Sequence, residues 1–333
     1  MKRGTKYFFA GILLTFALVL FLGPKPETPL YHTFVPKTPK TTLEAEAILT
    51  ARESNLSIKP KNEASIVWVC DSSKARTRQV LVYLHGFGAS HEEGNPVHRH
   101  VADRVGANLL LTRLYDHGLT DTLPMQHFSV QKFWDDALEY LSIARALGDE
   151  IILMGTSTGA SLALLMASHF DDVNAIILLS PNIRVNDPNI WIMNQPWGLQ
   201  LGRAITGSNK TISDHPAEWY DKYWYRQYSL NAVAELQQFL KIAMKPTVFK
   251  RVFQPALMLY YYKNEQEKDD VVRVDAMLKM FDELSTPSHL KLKQAIPEAA
   301  DHVIGCHLRS GDIDAVKLAL EVFIDDILNA NVD

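Results

Sequence analysis

The stretch 151–165 restricts this chain more than any other. An apolar run, Ile151-Ile152-Leu153-Met154, leads into Gly155-Thr156-Ser157-Thr158-Gly159, and an apolar helical pattern, Ala160-Ser161-Leu162-Ala163-Leu164-Leu165, follows at once. A strand that turns this sharply into a helix holds its central residue in strained dihedrals. Flanking glycines leave room where a Cβ would strike neighbouring backbone. The turn pushes the Ser157 oxygen into the open at a helix N-terminus, where backbone N–H groups and the helix dipole favour the negative charge of acyl transfer. The pentapeptide alone is common in loops. Its setting makes Ser157 the candidate nucleophile and Gly155 and Gly159 the glycines of the elbow.

The remaining pattern predicts the frame around that turn. Short β-branched apolar runs at 65–69, 79–84, 108–112, 150–154, 175–180, 256–260 and 290–295 alternate with helical patterns at 96–105, 129–147, 159–169, 274–284 and 312–328. This is the alternation of an α/β fold with a mainly parallel central sheet flanked by helices. About 70 residues, 181–254, separate two strands that one helix should join, so an insertion is expected there. Trp191, Trp197, Trp219, Tyr220, Tyr223, Trp224, Tyr225 and Tyr228 put eight aromatics into 38 residues of it, against 10% for the chain. Such density suits an apolar acyl or aryl pocket, with Trp191, Trp197, Trp219 and Trp224 as candidate walls. Simple packing of the insertion's own helices, such as 230–243, explains it equally well.

A serine hydroxyl needs a base, and the base needs an acid that fixes its tautomer. In a strand–Ser–helix architecture of this kind the order along the chain is serine, acid, histidine. After the run 256–260, Asp269 stands two residues ahead of the Val271-Val272 pair and is the candidate acid, with Asp270 its competitor; Glu265 and Glu267 read as solvated loop charges. In the loop after 290–295, His302 is the candidate base, with His307 the competitor and His289 on the wrong side of the strand. The apolar run ending in His85-Gly86-Phe87-Gly88 supplies a loop whose Phe87 N–H, together with the Thr158 N–H, would form an oxyanion hole. His85 itself reads as a brace for that loop. His91, His98 and His100 with Glu92 and Glu93 match no ligand spacing, so no metal is expected.

Composition removes other classes. With 34 basic against 38 acidic side chains among 333 residues, the net charge of −4 gives no field for nucleic acid. Cys70 and Cys306 are too few for a disulfide framework or a cysteine-rich zinc site. The N-terminus is the local extreme: Lys2, Arg3 and Lys6 precede a 17-residue run, 7–23, that is apolar apart from Thr15. That is the pattern of a signal anchor or secretory signal. No small-x-small site ends it, so an uncleaved anchor is expected, with the domain outside the cytoplasm (periplasmic or extracytoplasmic). A cleaved export signal is the alternative. Prolines 24, 26, 29, 36 and 39 make 24–42 an extended spacer.

On the His85-Gly86-Phe87-Gly88 loop, the 113–118 stretch, the Ser157 elbow, Asp269 and His302, the sequence resembles the α/β-hydrolases, near the branch of monoacylglycerol lipases, lysophospholipases and bacterial carboxylesterases. The resemblance spans about 65–330 and departs from the family pattern at Asp116 and Ala160, where glycine is frequent. It implies an α/β-hydrolase fold with core segments 43–180 and 255–333 and a helical cap, 181–254, between the sixth and seventh strands. It further implies a serine hydrolase that cleaves a small, lipophilic ester without a cofactor. An acyltransferase, thioesterase or peptidase on the same triad, or an inactive tethered binding protein, remains open at this point because the fold hosts all of them. Oligomeric state is not legible.

Overall fold

The computed structural model describes residues 7, 11, 15, 19, 21–212 and 215–328. Among these, seven strands form one sheet: β1 (Ser65–Val67), β2 (Thr77–Leu84), β3 (Asn108–Leu111), β4 (Gly148–Thr156), β5 (Val173–Leu179), β6 (Ala256–Tyr260) and β7 (Lys291–Ala295). Their order is β1-β3-β2-β4-β5-β6-β7, with β1 antiparallel to β3 and every other pair parallel. Helices α1 (Thr42–Glu53), α2 (Val97–Val105), α3 (Val130–Leu147) and α4 (Thr158–Ala167) precede the insertion. The insertion holds α5 (Gly198–Thr206), α6 (Tyr220–Tyr223), α7 (Leu230–Ala243) and α8 (Pro246–Phe249); α9 (Val274–Asp282) and α10 (Ile313–Phe323) complete the core.

The period of two along each strand builds two cores from one sheet. Val80, Val82, Leu84, Ile151 and Leu153 pack with α3, α4 and part of the insertion, while Leu81, Tyr83, Ile152 and Met154 pack with α2 and α10. Because the central strands are covered on both faces, they read as unbroken apolar runs. Local signals set the helix ends: the Ser129 hydroxyl accepts from Lys132 N–H at 3.3 Å to start α3, the Asp312 carboxylate accepts from Ala315 N–H at 2.9 Å to start α10, and Gly106, at φ 64°, stops α2.

The insertion lies where the gap in the sequence pattern put it, between β5 and β6. Two expectations change. Helix α1 appears where no element was expected. Its C-terminal end is tied to the core by Glu53, whose carboxylate meets the Arg113 guanidinium at 2.6 Å, and by Arg52 bound to Asp136. The proline-rich segment expected as a spacer, 24–42, has no regular secondary structure over 24–40, and it does not stand free. The Pro24 carbonyl accepts from Trp197 N–H at 2.9 Å, the Glu27 carbonyl from Gln238 Nε2 at 3.2 Å and the His32 carbonyl from Trp134 Nε1 at 2.9 Å, so the strap crosses both the insertion and α3. Most of the apolar run 7–23 expected as an anchor lies outside the described residues; among the described residues no helix is long and apolar enough to cross a membrane.

The Arg113–Glu53 pair is nearly closed to solvent, with side chains 6% and 9% exposed. Glu53→Ala leaves a buried guanidinium without its partner. It is expected to lower stability by about 3 kcal/mol in urea unfolding; an unchanged midpoint would show that α1 is not part of the cooperative fold.

Candidate active site

Ser157 sits at φ 54°, ψ −119°, between the last residue of β4 and the first of α4. Only glycines fit around it. A Cβ on Gly159 would lie 2.0 Å from the Leu84 carbonyl oxygen, and one on Gly155 would lie 2.5 Å from the Gly159 carbonyl carbon. Hydrogen bonds hold the strained residue: Ser157 N–H donates to the Leu179 carbonyl at 2.9 Å, and its own carbonyl accepts from Ser161 and Asn182 N–H, each at 3.1 Å. The elbow is thereby pressed against the C-terminal ends of β2 and β5.

That close approach sets α4 against the loop after β2. His85, fully buried, donates from Nδ1 to the Gly86 carbonyl at 2.9 Å and accepts Leu114 N–H at Nε2 at 3.0 Å, so both ring nitrogens brace the loop. Burial, followed by the neighbouring His117, keeps the imidazole well below its usual range and therefore neutral. Phe87 N–H has no hydrogen-bond acceptor among the described residues. Thr158 N–H belongs to the first turn of α4, where amides lack intrahelical acceptors.

Asp269 and His302 are brought together from the loops after β6 and β7. Asp269 Oδ1 accepts from Val271 and Val272 N–H at 3.0 Å each, and Oδ2 accepts from His302 Nδ1 at 2.6 Å. The aspartate is 2% exposed and the histidine 7%. With Nδ1 committed, Nε2 is left buried and without a partner among the described residues. Burial alone would lower the His302 pKa; the Asp269 carboxylate, with smaller help from Glu93 and Asp301, more than reverses this and raises it. The competitors are placed elsewhere: Asp270 is exposed, Glu265 pairs with Lys268 at 2.6 Å in solvent, His289 is exposed, and His307 bonds the Asn95 carbonyl.

Residues 81–313 match the profile of the alpha/beta hydrolase family. The chain belongs to the alpha/beta hydrolase family. Among curated proteins none matches it. Solved structures share the fold at low identity. One, from work on the metagenome-derived lipolytic enzymes LipS and LipT, has a TM-score of 0.65 at 17% identity, covering 80% of this chain and 99% of its own. A soluble variant of the Saccharomyces cerevisiae monoglyceride lipase has a TM-score of 0.58 at 14% identity over 79% of this chain and 90% of its own. The Paleococcus ferrophilus monoacylglycerol lipase follows at 0.53 and 16%, over 77% and 97%.

The cap of this hydrolase meets the site through only part of its aromatic set. Trp224 is buried against Ala89, Val303 and Cys306, beside the His302 loop, and Trp219 lies 5.8 Å from it, ring to ring. Trp191 and Trp197 are 56% and 38% exposed; Trp197 donates to the Val19 carbonyl and stands at the strap, apart from that group. Two residues not singled out as walls do reach the loop after β2. Tyr225 N–H donates to the Gly88 carbonyl at 2.9 Å, and the Tyr228 ring lies edge-on to Phe87 at 5.3 Å. Glu93, first seen only within a dismissed metal cluster, is 3% exposed and accepts Gly86 N–H at 2.5 Å. A glutamate in a polar loop reads as solvated, so nothing in the sequence marked it. No group of three or more His, Cys, Asp or Glu side chains is arranged to hold a metal among the described residues. Cys70 is exposed and Cys306 buried, and neither is bridged.

The Gly159 contact is with backbone that cannot move without unpairing β2. Gly159→Ala is therefore expected to cost about 3 kcal/mol or more of stability in urea unfolding, a result that a wild-type-like curve would contradict.

Proposed function

We propose that this chain is a serine esterase that cleaves lipophilic carboxylic esters through an acyl-enzyme on Ser157. The observation that carries the reading is the buried Asp269–His302 pair, with Nδ1 held by the carboxylate and Nε2 buried and unpartnered among the described residues. In the reaction His302 Nε2 takes the Ser157 hydroxyl proton as the oxygen attacks the ester carbonyl. The Phe87 and Thr158 N–H groups hold the oxyanion, and His302 then protonates the departing alcohol. Water repeats the sequence on the acyl-enzyme and frees the acid. Asp269 keeps the ring in the required tautomer and stabilises the imidazolium. Every proton moves between groups of the chain, substrate and water, so the sequence requires no cofactor.

The lipophilic substrate class is supported by the apolar surroundings of the loop after β2, where Phe87, Phe128 and Tyr228 meet edge to face. The lipolytic and monoacylglycerol lipase names of similar structures point the same way. Three basic residues ahead of the apolar run at 7–23 support a tethered or exported protein with this domain outside the cytoplasm.

Ser157→Ala is expected to abolish covalent labelling by a fluorophosphonate and to lower turnover of p-nitrophenyl esters by at least about 10³-fold, with the thermal midpoint unchanged. Retained turnover would defeat the proposal. The pH dependence follows from His302. The base works only when Nε2 is unprotonated, so activity rises with pH through its pKa, and a raised pKa places the acid limb of kcat/KM above the ordinary imidazole value of about 6.5. Asp269→Asn is expected to move that limb to lower pH and to reduce kcat by about 10⁴-fold, read from a pH series on a single ester.

A further inference from the structure

Glu93 is a buried carboxylate that the reaction above does not use. It lies in the turn His91–Gly94, between the end of β2 and α2, and points back under the loop that carries Phe87. A Cβ on Gly86 would lie 2.8 Å from Glu93 Oε1, so the carboxylate occupies the space against that peptide and takes its N–H at 2.5 Å. Glu93 has no salt-bridge partner among the described residues. Arg309, which also acts on it electrostatically, is engaged with Asp301 at 2.9 Å. Trp224, from the cap, packs with Ala89, Val303 and Cys306 beside this turn.

The titratable groups that face Glu93 are few. Among the described residues they include Tyr83 of β2 and His302, Cys306 and Arg309 from the segment after β7, with Glu92 next to Glu93 in the chain; from the cap, the helix Tyr220–Tyr223 also packs on the turn that carries it. Behind Tyr83 stands the ring of His98 from α2, buried and held low at about 3, hence neutral. Of all these groups, His302 is the one that gains a charge during acyl transfer. Burial pushes the Glu93 carboxyl up to about 7; the Gly86 N–H, and then His302 and Arg309, oppose that rise.

We infer that Glu93 is a positioning residue of this site. Through Gly86 it fixes the peptide that aims the Phe87 N–H, and as a carboxylate it favours the imidazolium form of His302. The inference rests on the esterase reading. It adds a second acid to the one that sequence order supplies: Asp269 holds the ring, and Glu93 couples the ring's charge to the oxyanion loop. Burial with no cation bonded to it makes the ionised form of Glu93 costly in the resting fold. The charge that forms on His302 in the transition state offsets that burden.

Two variants separate reach from charge. Glu93→Gln keeps an acceptor for Gly86 N–H and removes the charge, whereas Glu93→Asp keeps the charge and withdraws it by one methylene. kcat and KM are measured for a p-nitrophenyl ester across pH 5–9, with active sites counted by fluorophosphonate labelling so that misfolded protein does not enter kcat. For Glu93→Gln the expected result is a kcat lowered about tenfold, KM little changed, and an acid limb moved down by about half a pH unit. The sign follows because a negative charge facing His302 raises its pKa and its removal lowers it. For Glu93→Asp the expected result is a lowered kcat with the limb in its wild-type position. A Glu93→Gln enzyme whose limb does not move overturns the electrostatic role. One whose kcat and limb both match wild type, alongside an unaffected Glu93→Asp, overturns the whole inference. A wild type that neither hydrolyses esters nor labels at Ser157 would instead overturn the esterase reading beneath it.

Discussion

The contact between Gly159 and the carbonyls of Leu84 and His85 is the constraint on which the site depends. A Cβ there would stand 2.0 Å from one carbonyl oxygen and 2.5 Å from the other, so α4 can approach β2 this closely only without a side chain. The approach places the first turn of α4 beside the loop that carries His85 and Phe87. It also forces the preceding turn. Ser157 can reach its position only at positive φ, and the bonds to Leu179, Ser161 and Asn182 hold it there against the strain. The position of Ser157 and the close approach of α4 to the loop after β2 thus follow from one backbone contact.

Much of this was readable in the chain because it is written locally. Strands covered on both faces leave apolar runs that no surface element imitates, and the seven expected runs all appear as strands in the sheet. The elbow announces itself by the residues that a sharp turn demands. Asp269 is distinguished from Asp270 by the backbone that follows it: Val271 and Val272 N–H close on Oδ1, which leaves Oδ2 for His302 and turns Asp270 outward. A two-residue offset from a β-branched pair is a local signal for a local geometry.

What escaped is written across the chain. Glu93 lies in a polar stretch, and only the folded loop shows that its carboxylate faces Gly86 and not water. Trp197 resembled a pocket residue by its type and neighbours, yet its partners are Val19 and Pro24, more than 170 residues earlier. The same holds for the strap, whose prolines suit a segment without helix or strand but say nothing of what lies alongside. Composition describes a segment's conformation better than its company.

The cap is bound to the core at several separate places. Besides the strap, Lys59 Nζ donates to the Trp224 carbonyl at 3.0 Å, Asn62 Nδ2 to the Lys222 carbonyl at 2.9 Å, and Tyr225 both donates its N–H to Gly88 and exchanges hydrogen bonds with Leu119 through its hydroxyl. These anchors converge on the segment Lys222–Tyr225, next to the His302 loop and the oxyanion loop. The part of the cap nearest the chemistry is therefore held by polar bonds to the core, while α5 carries exposed apolar residues, Leu201 and Ile205, on its far side. Held at several separate points, the segment Lys222–Tyr225 can shift against the loop after β2 only by breaking more than one of those bonds at once.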